Sequence, residues 1–319
     1  MTPVPIVAVV GPTAAGKTSL SLDIAEAVGG EIVNTDSMQV YRGMDIGTAK
    51  LPVEERRGIP HHLLDILSIQ ESATVAEFQQ RAREVIEDCR ARGVTPVLVG
   101  GSALYTRAVL DEFEFPGTDP DVRARLEDTL AEVGALRLHQ ELAAKDPVAA
   151  QRIIPSNGRR IVRALEVIEI TGGLFSAVLP SLTYHYDGVL QVGVDIPREV
   201  LDERIEQRVQ HMWDEGFVDE VRALERLGLR EARTASAALG YQQVLGFLAN
   251  ELSETGAQTG TVQATRRFAR KQQGWYRKDP RILWVGWGDP TPHDQVLAAL
   301  RDTSRAPEIV ADPNVPPLL

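Results

Sequence analysis

The chain has 319 residues, 43% of them hydrophobic and 25% charged, the composition of an ordinary globular protein with apolar material for about two domains. Its net charge of −11 argues against a protein that coats nucleic acid through a broadly basic surface, but not against one whose cations gather in a single cleft. No apolar run is long enough to span a membrane and no secretory signal is legible. The lone Cys89 excludes an internal disulfide and a cysteine-based zinc site. A cytoplasmic monomer is expected.

In chain order, Ile6-Val7-Ala8-Val9-Val10 reads as a strand buried on both faces, as in the middle of a parallel sheet. Gly11 ends it, and from Ser19 the residues Leu20, Ile24 and Val28 keep helical spacing until Gly29-Gly30. Glu31–Asn34 is a second strand, Val75 to Arg92 a helix, and Pro96–Val99 a third strand before Gly100-Gly101. Strands alternating with helices predict a parallel sheet with helices packed on it. Turn-forming residues from Phe115 to Pro120 mark a break. The helical pattern beyond it, with Val122, Leu126 and Leu130 on one face, runs from Asp121 to about Ile170 and is closed by Leu179-Pro180-Ser181. Leu190–Val194 resumes strand character. Helices are expected from Arg198 to about Leu248 and from Thr261 to Lys278, with Ile282–Val285 as a final strand. The prediction is an α/β core in two parts, 1–115 and 186–303, interrupted by a helical insertion at 116–185. Residues 304–319, with Pro307, Pro313, Pro316 and Pro317, read as a loose tail.

Gly11-Pro12-Thr13-Ala14-Ala15-Gly16-Lys17-Thr18 matches G-x-x-x-x-G-K-[ST], between a strand and a helix. The glycines let the backbone wrap an anion with its N–H groups pointing inward. The helix amino terminus adds a positive dipole, Lys17 a point charge and Thr18 a hydroxyl for Mg2+. The motif predicts a phosphate site without saying which phosphate.

In a parallel sheet ligands collect at the carboxyl ends of the strands. The loop of that motif, Asn34-Thr35-Asp36-Ser37 and Gly100-Gly101-Ser102 all reach that edge. Position alone leaves Asp36 open as a helix N-cap, a magnesium-associated carboxylate, a ribose ligand or a general base. Arg204, Arg208 and His211 share one helical face beside Leu201, Ile205, Val209 and Met212, either as a solvated face or as partners of a diphosphate. Two basic clusters stand out: Arg159, Arg160 and Arg163 at a helix start, and Arg266, Arg267, Arg270, Lys271, Arg277, Lys278 and Arg281 with Trp275 and Tyr276 among them. The second suits phosphate contacts and base stacking. It equally suits a solvated face with the aromatics turned inward. His61-His62 lacks metal-ligand spacing and reads as structural or as a loop contact.

The stretches GPTAAGKT at 11–18, EIVNTDSMQVYRGMDIGTAK at 31–50, GIPHHLLDI at 58–66, GG at 100–101, RRIVRALEVIEITG at 159–172 and ATRRFARKQQGWYR at 264–277 resemble, in order, the tRNA dimethylallyltransferase (tRNA isopentenyltransferase) family. The resemblance spans Gly11 to Lys278. It implies a P-loop kinase-like fold whose cradle holds dimethylallyl diphosphate rather than ATP. It implies a reaction in which the dimethylallyl group passes to the exocyclic amine of the adenine 3′ of the anticodon. Gly11, Pro12, Thr13, Ala14, Ala15, Gly16, Lys17 and Thr18, with Arg208, would hold the diphosphate, and Thr18 its Mg2+. Asp36 would be the base, with Lys17 and Ser102 completing the catalytic set. The resemblance assigns contacts with the tRNA anticodon stem-loop to Asp36, Ser37, Met38, Gln39 and Ser102, to Arg159, Arg160, Ile161, Val162 and Arg163, and to Arg270 and Lys271. The insertion would clasp the RNA.

The chain departs from the family pattern in two places. Ser102-Ala103 follow Gly100-Gly101 where the family usually has Thr-Gly, and Ala15 replaces a common serine whose backbone, not side chain, does the binding. Three other functions compete. An ATP-dependent small-molecule kinase would explain the cradle but not the C-terminal cations. An enzyme prenylating free AMP or ADP would not need the insertion. A non-catalytic RNA-binding protein would not need Lys17, Thr18 and Asp36 intact.

Overall fold

The computed structural model describes residues 3–113, 115–178 and 182–302. The expected helix-closing turn at 179–181 and the expected tail at 304–319 lie outside the described residues. Ile6–Val10 (β1) is buried at every position. Its alternate side chains enter two cores. Ile6, Ala8 and Val10 join Phe78, Ile86 and Leu98 on one face. Val7 and Val9 join Leu20, Ile24, Ile205 and Ala269 on the other. A strand covered on both faces is apolar throughout, which is why this run was legible.

Around β1 stand β2 (Glu31–Asn34), β3 (His61–His62), β4 (Pro96–Val99), β5 (Val189–Asp195) and β6 (Ile282–Gly286). Among the described residues they form a six-stranded sheet in the order β3-β2-β4-β1-β5-β6, every pairing parallel. The helices are α1 (Lys17–Val28), α2 (Val75–Ala91) and α3 (Ala103–Leu110), then α4 (Pro120–Lys145), α5 (Pro147–Arg152) and α6 (Gly158–Thr171). After β5 come α7 (Arg198–Asp214), α8 (Phe217–Arg226), α9 (Tyr241–Leu248) and α10 (Glu254–Tyr276), and after β6 comes α11 (Pro292–Asp302).

Local chemistry sets the ends of these helices. Thr74 caps α2 by accepting the Glu77 amide at 3.2 Å, and the Glu77 carboxylate takes the Thr74 hydroxyl at 2.8 Å. α10 begins earlier than the expected Thr261. Ser253 caps it by accepting the Gly256 amide at 3.0 Å, and Gly256 and Gly260 inside the first turns had disguised it. β3 was not expected as a strand, because two residues carry no alternation to read.

The fold divides into two compact units. Among the described residues, one holds the sheet and comprises the chain up to Leu110 and from Tyr184 to Asp302; the other lies within Asp111–Thr183. In the second unit α4 breaks at Gly134, whose φ of +79° lies in the left-handed region that favours glycine. Leu126, Leu138, Leu142, Ile161 and Leu165 form its core. Glu166 is fully buried there, paired with Arg123 and, at 2.8 Å, with Arg163. Two cations on one buried carboxylate, each hydrogen-bonded, offset the cost of removing that charge from water.

Candidate active site

The carboxyl ends of the central strands lie level, since Val99 registers with both Val9 and Asn34. The loops after β1, β2 and β4 therefore leave the sheet side by side. Two glycines let them close up. A Cβ on Gly100 would lie 2.6 Å from the Thr35 carbonyl carbon, and one on Gly101 would lie 2.4 Å from Nε2 of Gln272. A cavity of about 310 Å3 opens at this edge. Thr13, Lys17, Thr18, Asp36, Ser102 and Arg208 all line it, as do Ser37, Met38 and Gln39.

The 11–18 loop turns through positive φ at Gly11 (+136°), Ala14 (+64°) and Gly16 (+94°), the last leading directly into α1. Nζ of Lys17 donates to the Pro12 carbonyl at 2.7 Å, and Nε of Arg204 to the Ala14 carbonyl at 2.8 Å. Arg204 thus braces the loop from outside, whereas Arg208, one turn on, lines the cavity. His211 is exposed and takes no part in it. Burial, with the Arg208 charge adding to it, pulls the Lys17 ammonium down to about 8, and the Asp36 carboxylate opposes the shift. Burial also lowers the Arg208 guanidinium from its usual value, again against Asp36.

Asp36 is not a helix N-cap, because the first helical turn after it is the 3-10 turn at Val53–Glu55, preceded by Pro52, and the next α-helix is α2 at Val75. Its Oδ1 instead accepts the Met38 amide at 2.9 Å, closing a turn, while its own amide donates to Oδ1 of Asn34 at 2.9 Å. Asn34, 2% exposed, anchors the turn further by donating to the carbonyls of Asp36 and Leu63, each at 3.1 Å. Oδ2 of Asp36 meets no hydrogen-bond partner among the described residues. The hydroxyls of Ser37 and Ser102 stand 3.3 Å apart, so Ser102 joins the loop after β4 to the Asp36 loop. The side chain of Gln39 donates to the carbonyls of Thr48 (3.1 Å) and Ala49 (3.4 Å).

Of the two histidines, Nδ1 of His61 lies 2.8 Å from the Ile59 carbonyl, and Nε2 of His62 lies 2.8 Å from the Glu31 carboxylate. Glu31, His62 and Cys89 cluster closely enough to raise the question of a metal. Arg92 already holds both Glu31 oxygens at 2.7 Å, and burial pushes the Cys89 thiol up to about 11. The cluster reads as an ion-pair network.

The basic segments sort themselves by partner. In the Asp111–Thr183 unit, Arg159 and Arg160 are exposed at the start of α6, whereas Ile161 and Val162 are 0% and 3% exposed in the core. Their side chains are therefore not available to an RNA. Arg163 pairs with Glu166 and donates to the carbonyls of Pro116 (2.7 Å) and Gly117 (3.1 Å), a bracing role. In the sheet unit, Arg266 pairs with Glu206 at 2.7 Å, Arg281 with buried Asp279 at 2.7 Å, and Arg277 with Asp195 while lying over Trp284. Arg267, Arg270, Lys271 and Lys278 remain exposed, without an ion pair among the described residues. Trp275 is partly exposed, and Tyr276 is turned into the core.

Sequence reasoning missed Gln272, Thr48 and Glu220. Gln272 lines the cavity from α10, accepts the Thr13 amide at 3.0 Å and donates to the Gly101 carbonyl at 2.8 Å. The Thr48 carbonyl accepts from Arg208 at 3.3 Å. No local pattern announces such contacts. The one available signal was that Thr48 and Gln272 sit inside the stretches at 31–50 and 264–277, whereas Glu220 lies outside every such stretch. The apolar part of the wall, including Val209, Met212, Leu239 and Phe268, was likewise visible only in three dimensions.

Comparison with known proteins gives one consistent answer. The profile of the family described as IPP transferase matches residues 39–279. The tRNA dimethylallyltransferase of a Nocardioides species is 60% identical over 94% of this chain and 96% of its own length. That of Thermobifida fusca is 58% identical over 94% and 95%. Among solved structures, the full-length tRNA isopentenylpyrophosphate transferase of Bacillus halodurans matches with a TM-score of 0.70 at 37% identity, covering 94% of this chain and 98% of that one. A eukaryotic dimethylallyltransferase described as acting on tRNA matches with a TM-score of 0.81 at 25% identity, over 93% and 78%. The chain belongs to the IPP transferase family, the tRNA dimethylallyltransferases.

Proposed function

We propose that this protein transfers the dimethylallyl group of dimethylallyl diphosphate to the exocyclic amine of the adenine 3′ of the anticodon in tRNA, releasing diphosphate. One observation carries the reading: a single cavity is lined by two cations, Lys17 and Arg208, by the Asp36 carboxylate and by an apolar wall. A prenyl diphosphate needs the cations and the apolar wall, and an acceptor amine needs the carboxylate.

The amine is a weak nucleophile, because its lone pair is delocalised into the ring. As its nitrogen bonds to the allylic carbon, Asp36 takes the proton through the oxygen that the Met38 amide leaves free. The carbon–oxygen bond breaks as that bond forms, and Lys17, Arg208 and the amides of the 11–18 loop meet the charge that develops on the departing diphosphate. The hydroxyl of Thr18, exposed at the mouth of the loop and without a hydrogen-bond partner among the described residues, is an oxygen donor of the hard kind that suits Mg2+. When bound there beside the diphosphate, the ion neutralises part of the leaving group's charge.

Ser37, Met38, Gln39 and Ser102 line the space around Asp36 and are assigned to the target base. Exposed Arg159, Arg160, Arg270 and Lys271 are assigned to the RNA backbone. An anticodon loop gives up a base from its stack more cheaply than a duplex does. The protein acts as a monomer in the cytoplasm, where its tRNA substrate is found.

Labelled dimethylallyl diphosphate incubated with the protein, Mg2+ and unmodified tRNA, followed by nucleoside analysis, tests the proposal. Label in isopentenyladenosine from tRNA is the expected result. Transfer to free AMP instead, or ATP turnover without RNA, would replace it with one of the competing readings.

A further inference from the structure

The segment from Tyr41 to Lys50 contains no helix or strand, yet its residues Gly47, Thr48 and Ala49 line the cavity. The anchor that holds it lies far away in sequence. Three consecutive amides converge on one carboxylate: those of Asp45 and Ile46 donate to Oε2 of Glu220 at 3.0 and 2.6 Å, and that of Gly47 to Oε1 at 3.2 Å. The Tyr241 hydroxyl adds a fourth donor to Oε1 at 2.6 Å. Burial and the carboxylate itself hold the Tyr241 phenol well above its usual range, so it remains a donor. Gly47 is pressed against the same helices. A Cβ there would lie 2.2 Å from Phe217 and 2.6 Å from Tyr241.

The next residue, Thr48, is where this anchor reaches the cavity. Its hydroxyl turns back to the Met44 carbonyl at 2.6 Å. Its carbonyl faces the cavity and accepts from both Gln39 (3.1 Å) and Arg208 (3.3 Å). Arg208 meets no carboxylate ion pair and no other hydrogen-bond acceptor among the described residues. The Thr48 carbonyl is therefore the contact that fixes where its guanidinium points. Glu220 itself does not line the cavity.

We propose that Glu220 is a positioning residue for prenyl transfer: by gathering the amides of Asp45, Ile46 and Gly47, it sets the Thr48 carbonyl and through it the pose of Arg208 and Gln39. The proposal rests on the reading of Arg208 as a diphosphate partner. A carboxylate is what this place requires. Three amides in a row make a small anion-binding nest, and Glu220 fills it with four acceptor sites on two oxygens. A glutamine has one acceptor oxygen, and its amide nitrogen would face backbone N–H groups.

The test is a double-mutant cycle on the full chain with dimethylallyl diphosphate and unmodified tRNA. Glu220→Gln should lower kcat/KM for the diphosphate by up to about a hundredfold, the scale of an ångström-sized misplacement in an active site. In the Arg208→Ala background the same change should cost less than about threefold, because residues acting through one another are not additive. Glu220→Ala should regain part of its activity when formate, a small carboxylate able to enter the nest, is added. A purely structural role gives a different pattern: effects of Glu220→Gln and Arg208→Ala that multiply, and losses that track only the folded fraction. Either result overturns the proposal. Should Glu220→Gln fold poorly, Glu220→Asp, which keeps the charge on a shorter arm, carries the same cycle. Absence of transfer by the unaltered protein would instead strike the functional reading on which the proposal rests.

Discussion

Nε2 of Gln272 donates to the carbonyl of Gly101 at 2.8 Å, which ties helix α10 to the loop that follows β4. Oε1 of the same side chain takes the Thr13 amide. One residue, 2% exposed, thereby spans two of the three loops that build the cavity. It also withdraws the Thr13 amide from the donors available to an anion, leaving later amides of the 11–18 loop for that task.

Gln272→Leu keeps the bulk but leaves the Thr13 amide and the Gly101 carbonyl without partners. Each unmet buried group costs about 1–3 kcal/mol. Urea unfolding should show a loss of at least that size, together with a higher KM for the diphosphate as the two loops loosen. A variant as stable as the parent would mean that water replaces the side chain without penalty.

Lys17 makes diphosphate binding pH-dependent. Its ammonium, pulled down to about 8 by burial and by Arg208, loses its proton as pH rises through that value in the free protein. A bound diphosphate raises the value again, so binding above about pH 8 takes up a proton and weakens about tenfold per pH unit. Folding stability moves the other way. The unfolded chain, with an ordinary lysine near 10.4, binds more protons between about 8 and 10.4, so this group's contribution to stability rises across that window. Lys17→Met should abolish the binding slope, weaken diphosphate binding and raise Tm at neutral pH. Isothermal titration across the window, flat for the unaltered protein, would exclude Lys17 as the titrating contact.

The exposed cations of α10 are assigned to RNA. Reversing Arg270 and Lys271 to glutamate should weaken tRNA binding and lessen the slope of log K against log salt by about 1.5, since each lost phosphate contact removes about 0.7–0.9. Diphosphate affinity should not change, because neither side chain lines the cavity. Filter binding at several salt concentrations decides the matter, and an unaltered slope would leave these residues as a solvated face.

The parts of this protein legible in sequence are those that local physics dictates. β1 announced itself because a strand buried on both faces must be apolar throughout. The 11–18 loop did so because an anion cradle needs Gly11 and Gly16 in left-handed backbone just ahead of a lysine. Asp36 was legible by position, at the carboxyl end of β2, although its local role is a turn rather than a helix cap. What stayed hidden depends on residues far apart in the chain. Glu220 meets the amide of Gly47, and Gln272 meets that of Thr13, across separations that no window of spacing covers. The pairing of Arg277 with Asp195 and of Arg266 with Glu206 likewise shows why a tally of cations overstates a binding face. Half of such a cluster can be spent inside the fold.

Asp36→Asn separates the two tasks of this residue. The turn requires only an oxygen that accepts the Met38 amide at 2.9 Å, and asparagine supplies one, since the two residues close such turns alike. Folding, Tm and the pose of Ser37 to Gln39 should therefore survive. Lost is the oxygen that has no hydrogen-bond partner among the described residues and that accepts the proton of the adenine amine in the proposed reaction. A general base contributes about two to four orders of magnitude, so single-turnover prenylation on saturated protein should slow by that much. Binding of tRNA and diphosphate should change far less, because the proton moves only as the new bond forms and the loss falls on the transition state. Near-normal chemistry in Asp36→Asn would remove Asp36 as the base while leaving the turn, the cavity and the family assignment intact.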